Sequence, residues 1–437
     1  MKIFNIKEAS DFLNISESTL YRSIKQNQIP ARKVGKQWRL SEEALSKWLM
    51  GDNNMKDVIV PLTAKKTEKN EPNSLRFIDL FCGIGGFRQA AEKQGLKCVY
   101  SSDSDKFVQE TYSHWYGEKP FGDITEFTAS EEKLNTIPDF DILFAGFPCQ
   151  PFSYAGRNEG FEDKTRGTLF FHVAKILSHH KPQALVLENV KGLKSHNKGA
   201  TIQVIRDTLS ELGYTLFDDI INSYHFGVPQ YRERWFCVGI RNDLIKTDIS
   251  EFSLNKGNLN LQPKLLDIID DSVEINKSNK IADFELERID FHFKNMNFFE
   301  DKRVQHDNSK YAPDTKKGRF GVYSYLKPDK TLRFHIGDRA KTQIQEAYYV
   351  HSNTYAPAII ANRRPKLWDL KRYLTVKECL KLQAFPSDLE FPVSDAQAFK
   401  QLGNSVCVKV VESVVSDMLQ FLRIAQSTES SLLKKTG

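Results

Sequence analysis

One cysteine stands in a setting that favours chemistry over packing. Cys149 lies between two prolines in Gly146-Phe-Pro148-Cys149-Gln-Pro151-Phe-Ser153, directly after the apolar run DILFA. A lone cysteine in a protein interior usually acts as a small apolar side chain. The two prolines fix a rigid turn, however, and such a turn gives little reason to place a core thiol. The segment therefore predicts a nucleophilic Cys149 at the carboxyl end of a strand.

The spacing of the cysteines excludes other uses of them. Six cysteines are scattered along the chain, and no C-x-x-C pair occurs. This excludes a thiolate zinc site, and with it a zinc deaminase, which combines a Pro-Cys pair with C-x-x-C and H-x-E. It also argues against a disulfide framework, so we expect a reducing, cytoplasmic setting.

Charged groups accompany two further strand-like runs. Glu188 ends the run ALVLENV (184–190), where burial would raise the pKa of its carboxyl group and let it donate a proton. The alternative is a glutamate that caps the next helix. In QYRER, alternation puts Gln230, Arg232 and Arg234 on one side of a strand, with two guanidinium groups. The alternative there is a solvated basic edge.

A glycine-rich turn follows the first apolar run after residue 74. The segment DLFCGIGGF (79–87) ends the run LRFIDLF and precedes a helical pattern. Glycines there let a ligand approach the backbone, and a helix N-terminus offers free N–H groups. The order G-x-G-G differs from a dinucleotide fingerprint, and a simple tight turn is the alternative.

Acidic residues after the next strands suit a nucleoside. Asp103 lies 20 residues beyond Gly83, at the end of CVYSSD, where a carboxylate can accept from a pair of ribose hydroxyls. Asp105 competes for this role, and one of the two is expected to be a helix cap. Asp123 and Ile124 can follow a third strand and give a purine a hydrogen bond and an apolar wall. No Lys-bearing phosphate loop occurs, which disfavours ATP.

Composition limits the class of protein without deciding it. The chain has 437 residues, of which 40% are hydrophobic and 27% charged, as in ordinary globular proteins. Its formal charge of +6 permits a nucleic-acid partner but does not prove one. No signal peptide is evident, and no apolar run approaches the ~20 residues that a membrane span requires.

The pattern of elements indicates two different folds. Capping residues Asn5, Ser16 and Ser41 precede helical patterns, and ARKVGKQWRL suggests a hairpin wing. Residues 1–50 carry nine Lys and Arg against five Asp and Glu and resemble the winged helix-turn-helix modules of excisionases. A structural or protein-interaction module is the alternative.

After the linker, a different pattern begins. Strand-like runs at 75–81, 98–103, 141–147, 184–190 and 234–240 alternate with helical patterns, which predicts an α/β parallel sheet.

Seven blocks occur in the order found in one enzyme family: DLFCGIGGF, FPCQPFS, RGTLFF, LENV, QYRER, RYLTVKECLKLQAFP and QLGNSV. Together they resemble the DNA (cytosine-5) methyltransferases of bacterial restriction-modification systems. The resemblance implies an α/β, Rossmann-like domain that uses S-adenosylmethionine, with a smaller irregular target-recognition domain. The domains expected are a winged helix-turn-helix module (1–50), a linker (51–74), a catalytic domain (75–240), a target-recognition domain (241–355) and a returning C-terminal segment (356–437).

The resemblance also implies a role for each site residue. Cys149 attacks C6 of a flipped cytosine, protonated Glu188 hydrogen-bonds N3, Arg234 orients both, and Arg232 assists. The implied cofactor residues are Phe81, Gly83, Ile84, Gly85, Gly86, Asp103, Asp123, Ile124, Leu169, Asn404 and Val406. In the target-recognition region, four closely spaced basic side chains suit groove contacts or a solvated face: Arg333, His335, Arg339 and Lys341.

The implied partner is double-stranded DNA, bound by a monomer, with a cognate restriction endonuclease that cuts the same site. Two other functions fit parts of the sequence. One is an RNA (tRNA) cytosine-5 methyltransferase, since a related branch of the family carries the same blocks. The other is a DNA-binding transcription regulator, against which the intact Cys149, Glu188 and arginines argue. A combined function, in which residues 1–50 also repress the operon, is a further hypothesis.

Overall fold

The computed structural model describes residues 3–13, 16, 20, 24, 31–34, 37–41, 45, 74–148, 169–249, 252–298, 303–306, 323–336, 345–361 and 363–426. The chain divides into two compact units, Met1–Pro72 and Asn73–Gly437, which are treated separately below. Cys149, Arg339, Lys341 and all but the last residue of the linker expected at 51–74 lie outside the described residues.

The first unit is a small mixed module. Its described elements are β1 (Ile3–Phe4), α1 (Ile6–Leu13), β2 (Arg32–Val34) and β3 (Gln37–Ser41). The capping pair predicted for the first helix is present, since Glu8 N–H donates to Asn5 Oδ1 and Asn5 N–H donates to Glu8 Oε2. β2 and β3 form the predicted hairpin, and β1 adds a third antiparallel strand that the sequence did not reveal.

The second unit is built on a six-stranded sheet. Its strands are β4 (Arg76–Leu80), β5 (Lys97–Ser102), β6 (Ile142–Gly146), β7 (Ala184–Val190), β8 (Tyr214–Asn222) and β10 (Glu233–Arg241), in the order β5-β4-β6-β7-β10-β8. β4 to β7 are parallel, as predicted. The prediction of a wholly parallel sheet is wrong, because β10 runs antiparallel to both β7 and β8. The reversal brings the start of β10 beside the carboxyl end of β7.

Helices cover both faces of this sheet: α2 (Gly86–Lys93), α3 (Lys106–Tyr116), α4 (Ile124–Phe127), α5 (Glu131–Leu134), α6 (Leu169–His180), α7 (Ala200–Glu211), α9 (Val376–Leu382), α10 (Asp395–Asn404) and α11 (Val408–Gln426). Successive strand residues enter opposite cores. Phe77 belongs to the core with α2 and α11, whereas Ile78 belongs to the core with α6 and α7. Burial on both faces explains why the strands read as continuous apolar runs.

Residues 252–361 hold a second, smaller sheet. Strands β11 (Arg303–Gln305), β12 (Tyr323–Leu326), β13 (Leu332–Ile336) and β14 (Gln345–Tyr349) form an antiparallel sheet, which packs with α8 (Asp283–Asn295). The sequence predicted only irregular structure here. The remaining short strands are β9 (Gln230–Tyr231) paired with β15 (Ala356–Pro357), and β16 (Lys366–Leu367) paired with β17 (Arg372–Tyr373).

The C-terminal helix returns to the first part of the sheet. Lys93 Nζ on α2 lies 2.7 Å from Glu412 Oε1 on α11, and the Gln94 amide donates to the Glu412 carbonyl. The end of α10 thereby lies beside the turn after β4. Among the described residues, no helix is long and apolar enough to cross a bilayer.

Candidate active site

A cavity of about 480 Å³ opens at the carboxyl ends of β4 to β7. This is the edge at which ligands of parallel α/β sheets bind. Nine of the predicted site residues line it: Phe81, Gly83, Asp103, Asp123, Ile124, Leu169, Glu188, Arg234 and Asn404. Further lining residues were not predicted from the sequence, among them Ser102, Ser104, Pro148, Ile360, Gln401 and Gly403. Of these, Gln401 and Gly403 belong to the QLGNSV block, so that block could have identified them from the sequence.

The glycine-rich turn after β4 is packed closely against neighbouring side chains. A Cβ on Gly85, which has φ +79°, would lie within 2.7 Å of the Tyr116 ring, and one on Gly86 would lie 2.5 Å from Val406 Cγ2. Ile84 is fully buried. Ile84, Gly85, Gly86 and Val406, predicted to bind a cofactor, are not among the cavity-lining residues. They pack the turn against α3 and the C-terminal segment.

The two competing aspartates have different partners. Asp103 Oδ2 accepts from the Gly83 N–H at 3.0 Å, and its Oδ1 accepts from the Asp105 N–H at 2.9 Å. Burial raises the pKa of Asp103. Asp105 is the helix cap: it accepts from the Phe107 N–H at the start of α3 and pairs with Lys400 at 2.8 Å. Burial works to raise the pKa of Asp105, but the hydrogen bond and charge of Lys400, together with backbone N–H groups at the start of α3, outweigh it and the pKa is lowered.

A short helix supplies the far wall of the cavity. Asp123 caps α4 by accepting from the Thr125 N–H at 2.9 Å, and Ile124 is 3% exposed. The expected third strand before them is wrong, because the described chain has only an isolated bridge between Phe121 and Ser102 there. Leu169, the first residue of α6, faces the same end.

The opposite end of the cavity holds a buried ion pair. Arg234 Nε lies 3.1 Å from Glu188 Oε1, because antiparallel pairing places Arg234 opposite Val190, two residues beyond Glu188. Burial raises the pKa of Glu188, and Arg234 and Arg232 oppose this only in part. Burial likewise lowers the pKa of Arg234. Gly146 leaves room beside the carboxyl group, since a Cβ there would lie 3.4 Å from Glu188 Oε2.

The described chain reaches this end of the cavity at Pro148, immediately before Cys149. The Asn189 side chain donates to the Phe147 carbonyl at 2.8 Å and ties the end of β6 to β7. The other cysteines are poor nucleophiles, because burial raises the pKa of every thiol in the described chain: Cys82, Cys98, Cys237, Cys379 and Cys407.

Arg232 faces away from the cavity mouth and into the protein. Its side chain is 2% exposed. It donates to the carbonyls of Ile359 at 2.7 Å, Gly403 at 3.0 Å and Ser405 at 2.5 Å. The guanidinium group therefore joins the chain after the smaller sheet to the end of α10, which carries Asn404. Arg232 therefore acts as a positioning residue that holds these two segments together.

We expect Arg232→Met to destabilise the protein by about 3 kcal/mol or more, because it leaves buried carbonyls without donors at ~1–3 kcal/mol each. Urea unfolding measures this loss. Arg76→Met is the control, since Arg76 is half exposed and lies 3.7 Å from Asp141, a surface pair worth less than ~1 kcal/mol. Equal stability of the two variants would contradict the positioning role.

Two basic residues of the smaller sheet are placed by the structure. His335 is 7% exposed and lies under the rings of Tyr323 and Tyr325 on β12. Arg333 is partly exposed, with its guanidinium 5.8 Å from the centre of the Tyr348 ring. Of the two, Arg333 is the more exposed.

Comparison with known proteins assigns most of the chain. Residues 75–420 match the family of C-5 cytosine-specific DNA methylases, and residues 3–52 match a helix-turn-helix domain. Type II methyltransferase M.DsaV of Dactylococcopsis salina is 39% identical over 82% of this chain and 89% of its own. Type II methyltransferase M1.ScrFI of Lactococcus lactis subsp. cremoris is 34% identical over 95% of each chain.

Two solved structures share the fold. The S. pombe Dnmt2 methyltransferase has a TM-score of 0.54 at 18% identity and covers 80% of this chain and 99% of its own. A Spodoptera frugiperda DNMT2 variant has a TM-score of 0.51 at 21% identity and covers 79% of this chain and 100% of its own. The fold is that of an α/β methyltransferase. Since the family match extends over residues 75–420, the chain belongs to the C-5 cytosine-specific DNA methylase family.

Proposed function

We propose that this protein methylates C5 of cytosine within a short sequence of double-stranded DNA, with S-adenosylmethionine as the methyl donor. The observation that carries the proposal is the buried Glu188–Arg234 pair, which shares one cavity with Pro148, the neighbour of Cys149. By analogy with the Type II relatives, the methylation protects DNA from a cognate restriction endonuclease. The enzyme acts in the cytoplasm and as a monomer on DNA.

The cavity suits S-adenosylmethionine in size and in the order of its groups. Asp103, held by two backbone N–H groups, would accept from the ribose hydroxyls. Ile124, Leu169 and Phe81 would enclose the adenine, and Asn404 would lie at the methionine end. When bound, S-adenosylmethionine supplies an electrophilic methyl group on a sulfonium.

The chain's own residues would then activate the base. The cytosine is swung out of the duplex, because its ring is otherwise shielded in the stack. The Cys149 thiolate forms a bond to C6 while N3 takes the proton of Glu188, which makes C5 nucleophilic. Arg234 holds the Glu188 carboxyl group against the base. After methylation C5 gives its proton to a water molecule, the C5=C6 double bond re-forms as the C6–S bond breaks and releases the Cys149 thiolate, and N3 returns its proton to Glu188.

Target choice is assigned to residues 241–355, in which the partly exposed Arg333 is the candidate for a groove contact. Short DNA sequences are read through hydrogen bonds to base edges, whereas contacts to phosphates position the protein. The small sheet β11–β14 and α8 would present such side chains on a rigid support.

A tRNA substrate is the alternative, and parallel reactions with the two nucleic acids distinguish them. The protein is incubated with methyl-labelled S-adenosylmethionine and either plasmid DNA or total tRNA. We expect label in DNA alone. Label in tRNA alone would contradict the proposal and support the RNA branch.

The helix-turn-helix match favours a second function for residues 1–50, repression of the operon that encodes the enzyme. The relative M1.ScrFI aligns over 95% of the chain, so part of this module is within the shared region. Footprinting of the whole protein on the upstream promoter should show protection at physiological salt. Arg22→Ala with Lys25→Ala, in the predicted second helix, should remove the protection and leave methylation intact. Absence of protection by the unmodified protein would exclude this function.

A further inference from the structure

The wall of the cavity contains a buried amide group that no other site residue engages. Gln401 lies in the last turn of α10, is 4% exposed and lines the cavity together with Gly403 and Asn404. Its Oε1 accepts from the hydroxyl of Thr111 on α3 at 2.8 Å, and Thr111 is fully buried. This contact fixes the amide group with its oxygen turned toward Thr111.

The nitrogen of this amide has no partner within the part of the chain that the structure describes. Gln401 Nε2 is buried and makes no hydrogen bond there. A buried amide donor that is left unpaired costs about 1–3 kcal/mol. Most buried polar side chains in proteins are therefore paired. An unpaired donor in the wall of a ligand cavity indicates an acceptor on the ligand.

The charges of the cavity indicate which acceptor this is. Its lining contains the carboxylates Asp103, Asp105 and Asp123, which repel a negatively charged group. The one cation among the described lining residues, Arg234, already pairs with Glu188. Lys400, on the same helix as Gln401, is held by Asp105. A ligand carboxylate bound beside Gln401 therefore depends on neutral hydrogen-bond donors.

We propose that Gln401 Nε2 donates a hydrogen bond to the carboxylate of the methionine part of the bound methyl donor. The proposal rests on the proposed function, because it takes S-adenosylmethionine as the ligand. Thr111 acts as a positioning residue that holds the amide in the donating orientation. Gln401 would thus raise the affinity for ligands that carry the amino-acid group relative to ligands that end at the sulfur.

Calorimetry with two ligands tests this. S-adenosylhomocysteine carries the carboxylate, and 5′-methylthioadenosine lacks the amino-acid part. We expect Gln401→Leu to weaken binding of S-adenosylhomocysteine roughly 10- to 100-fold, the range for a hydrogen bond to a charged group, and to change binding of 5′-methylthioadenosine by less than about twofold. Gln401→Glu should weaken the first ligand further, since it adds a negative charge. Thr111→Val should have an intermediate effect.

Gln397 provides the matched control. It lies one turn earlier on α10, and its side-chain oxygen is also buried without a partner in the described chain, but it does not line the cavity. Gln397→Leu should leave both affinities unchanged, and thermal unfolding checks that all variants are folded.

Four outcomes would overturn the proposal. Equal weakening of both ligands by Gln401→Leu would assign the residue to packing or to the adenosine, and no weakening of either would leave it without a ligand role. Tighter binding of S-adenosylhomocysteine to Gln401→Glu would mean that the side-chain oxygen faces the ligand's ammonium group. Failure of the unmodified protein to bind either ligand would overturn the cofactor assignment as well, which separates that failure from a failure of Gln401 alone.

Discussion

Cys149→Ser is expected to lower the rate of methyl transfer to DNA by roughly 10⁴-fold or more, the scale seen when an enzyme loses its nucleophile. A serine hydroxyl fits the same turn but is hardly ionised at neutral pH, whereas a thiol near a cation forms the reactive anion readily. Single-turnover transfer of labelled methyl groups to plasmid DNA measures this. Affinity for S-adenosylhomocysteine should not change, because the loss lies in the chemical step.

Cys98→Ser is the matched control for this substitution. Cys98 is partly buried on β5, and burial raises the pKa of its thiol, so it is not suited to act as a nucleophile. We expect this variant to keep its rate within a few-fold. Retained transfer by Cys149→Ser, or an equal loss in both variants, would contradict the assignment of Cys149.

Glu188→Gln is expected to slow methyl transfer by about 10²- to 10⁴-fold, the usual contribution of a positioned acid or base. The amide can still donate a hydrogen bond to N3 of the cytosine, but it cannot transfer a proton. Glu412→Gln, on the surface at Lys93, should retain full activity. A normal rate in Glu188→Gln would mean that the Glu188–Arg234 pair serves only the fold.

The raised pKa of Glu188 also predicts the direction in which the methylation rate and the stability change with pH. Burial raises the pKa of Glu188, so the folded protein keeps this proton above the usual range of a carboxyl group. The step needs the protonated form, so the rate should fall as pH rises through the raised pKa. Over the window between the unfolded and folded pKa values, stability should also fall with rising pH, because the folded state binds more protons. Glu188→Gln should lack the effect on the rate, and its stability should fall less with rising pH, because buried Asp103, whose pKa is also raised, still contributes.

Local patterns in the sequence predicted the elements whose burial is simple. The run ALVLENV corresponds to β7, and the run at 141–147 contains β6, because both have an uninterrupted apolar pattern. β8 escaped prediction, since Asp218 and Asp219 interrupt YTLFDDIIN. Asp218 is tolerated on a strand because it accepts from Arg206 and from the Trp235 indole N–H.

Roles that depend on distant parts of the chain could not be predicted in this way. Strand alternation put Arg232 and Arg234 on one side, and the family resemblance implied that Arg234 orients the base and that Arg232 assists. In the structure Arg232 binds the carbonyls of Ile359 and Gly403, which are 127 and 171 residues away. Gln401 was missed for a similar reason, because the orientation of its side-chain amide depends on a hydrogen bond from Thr111, 290 residues earlier.

The most direct test of the function is the position of the methyl group in DNA. Plasmid DNA is treated with the protein and S-adenosylmethionine, and 5-methylcytosine is mapped by bisulfite sequencing, with Cys149→Ser treated in parallel. We predict that cytosines in one short sequence motif become protected from conversion and that the variant protects none. Protection at no cytosine by the unmodified protein, or equal protection by the variant, would contradict a Cys149-dependent, sequence-specific cytosine-5 methyltransferase.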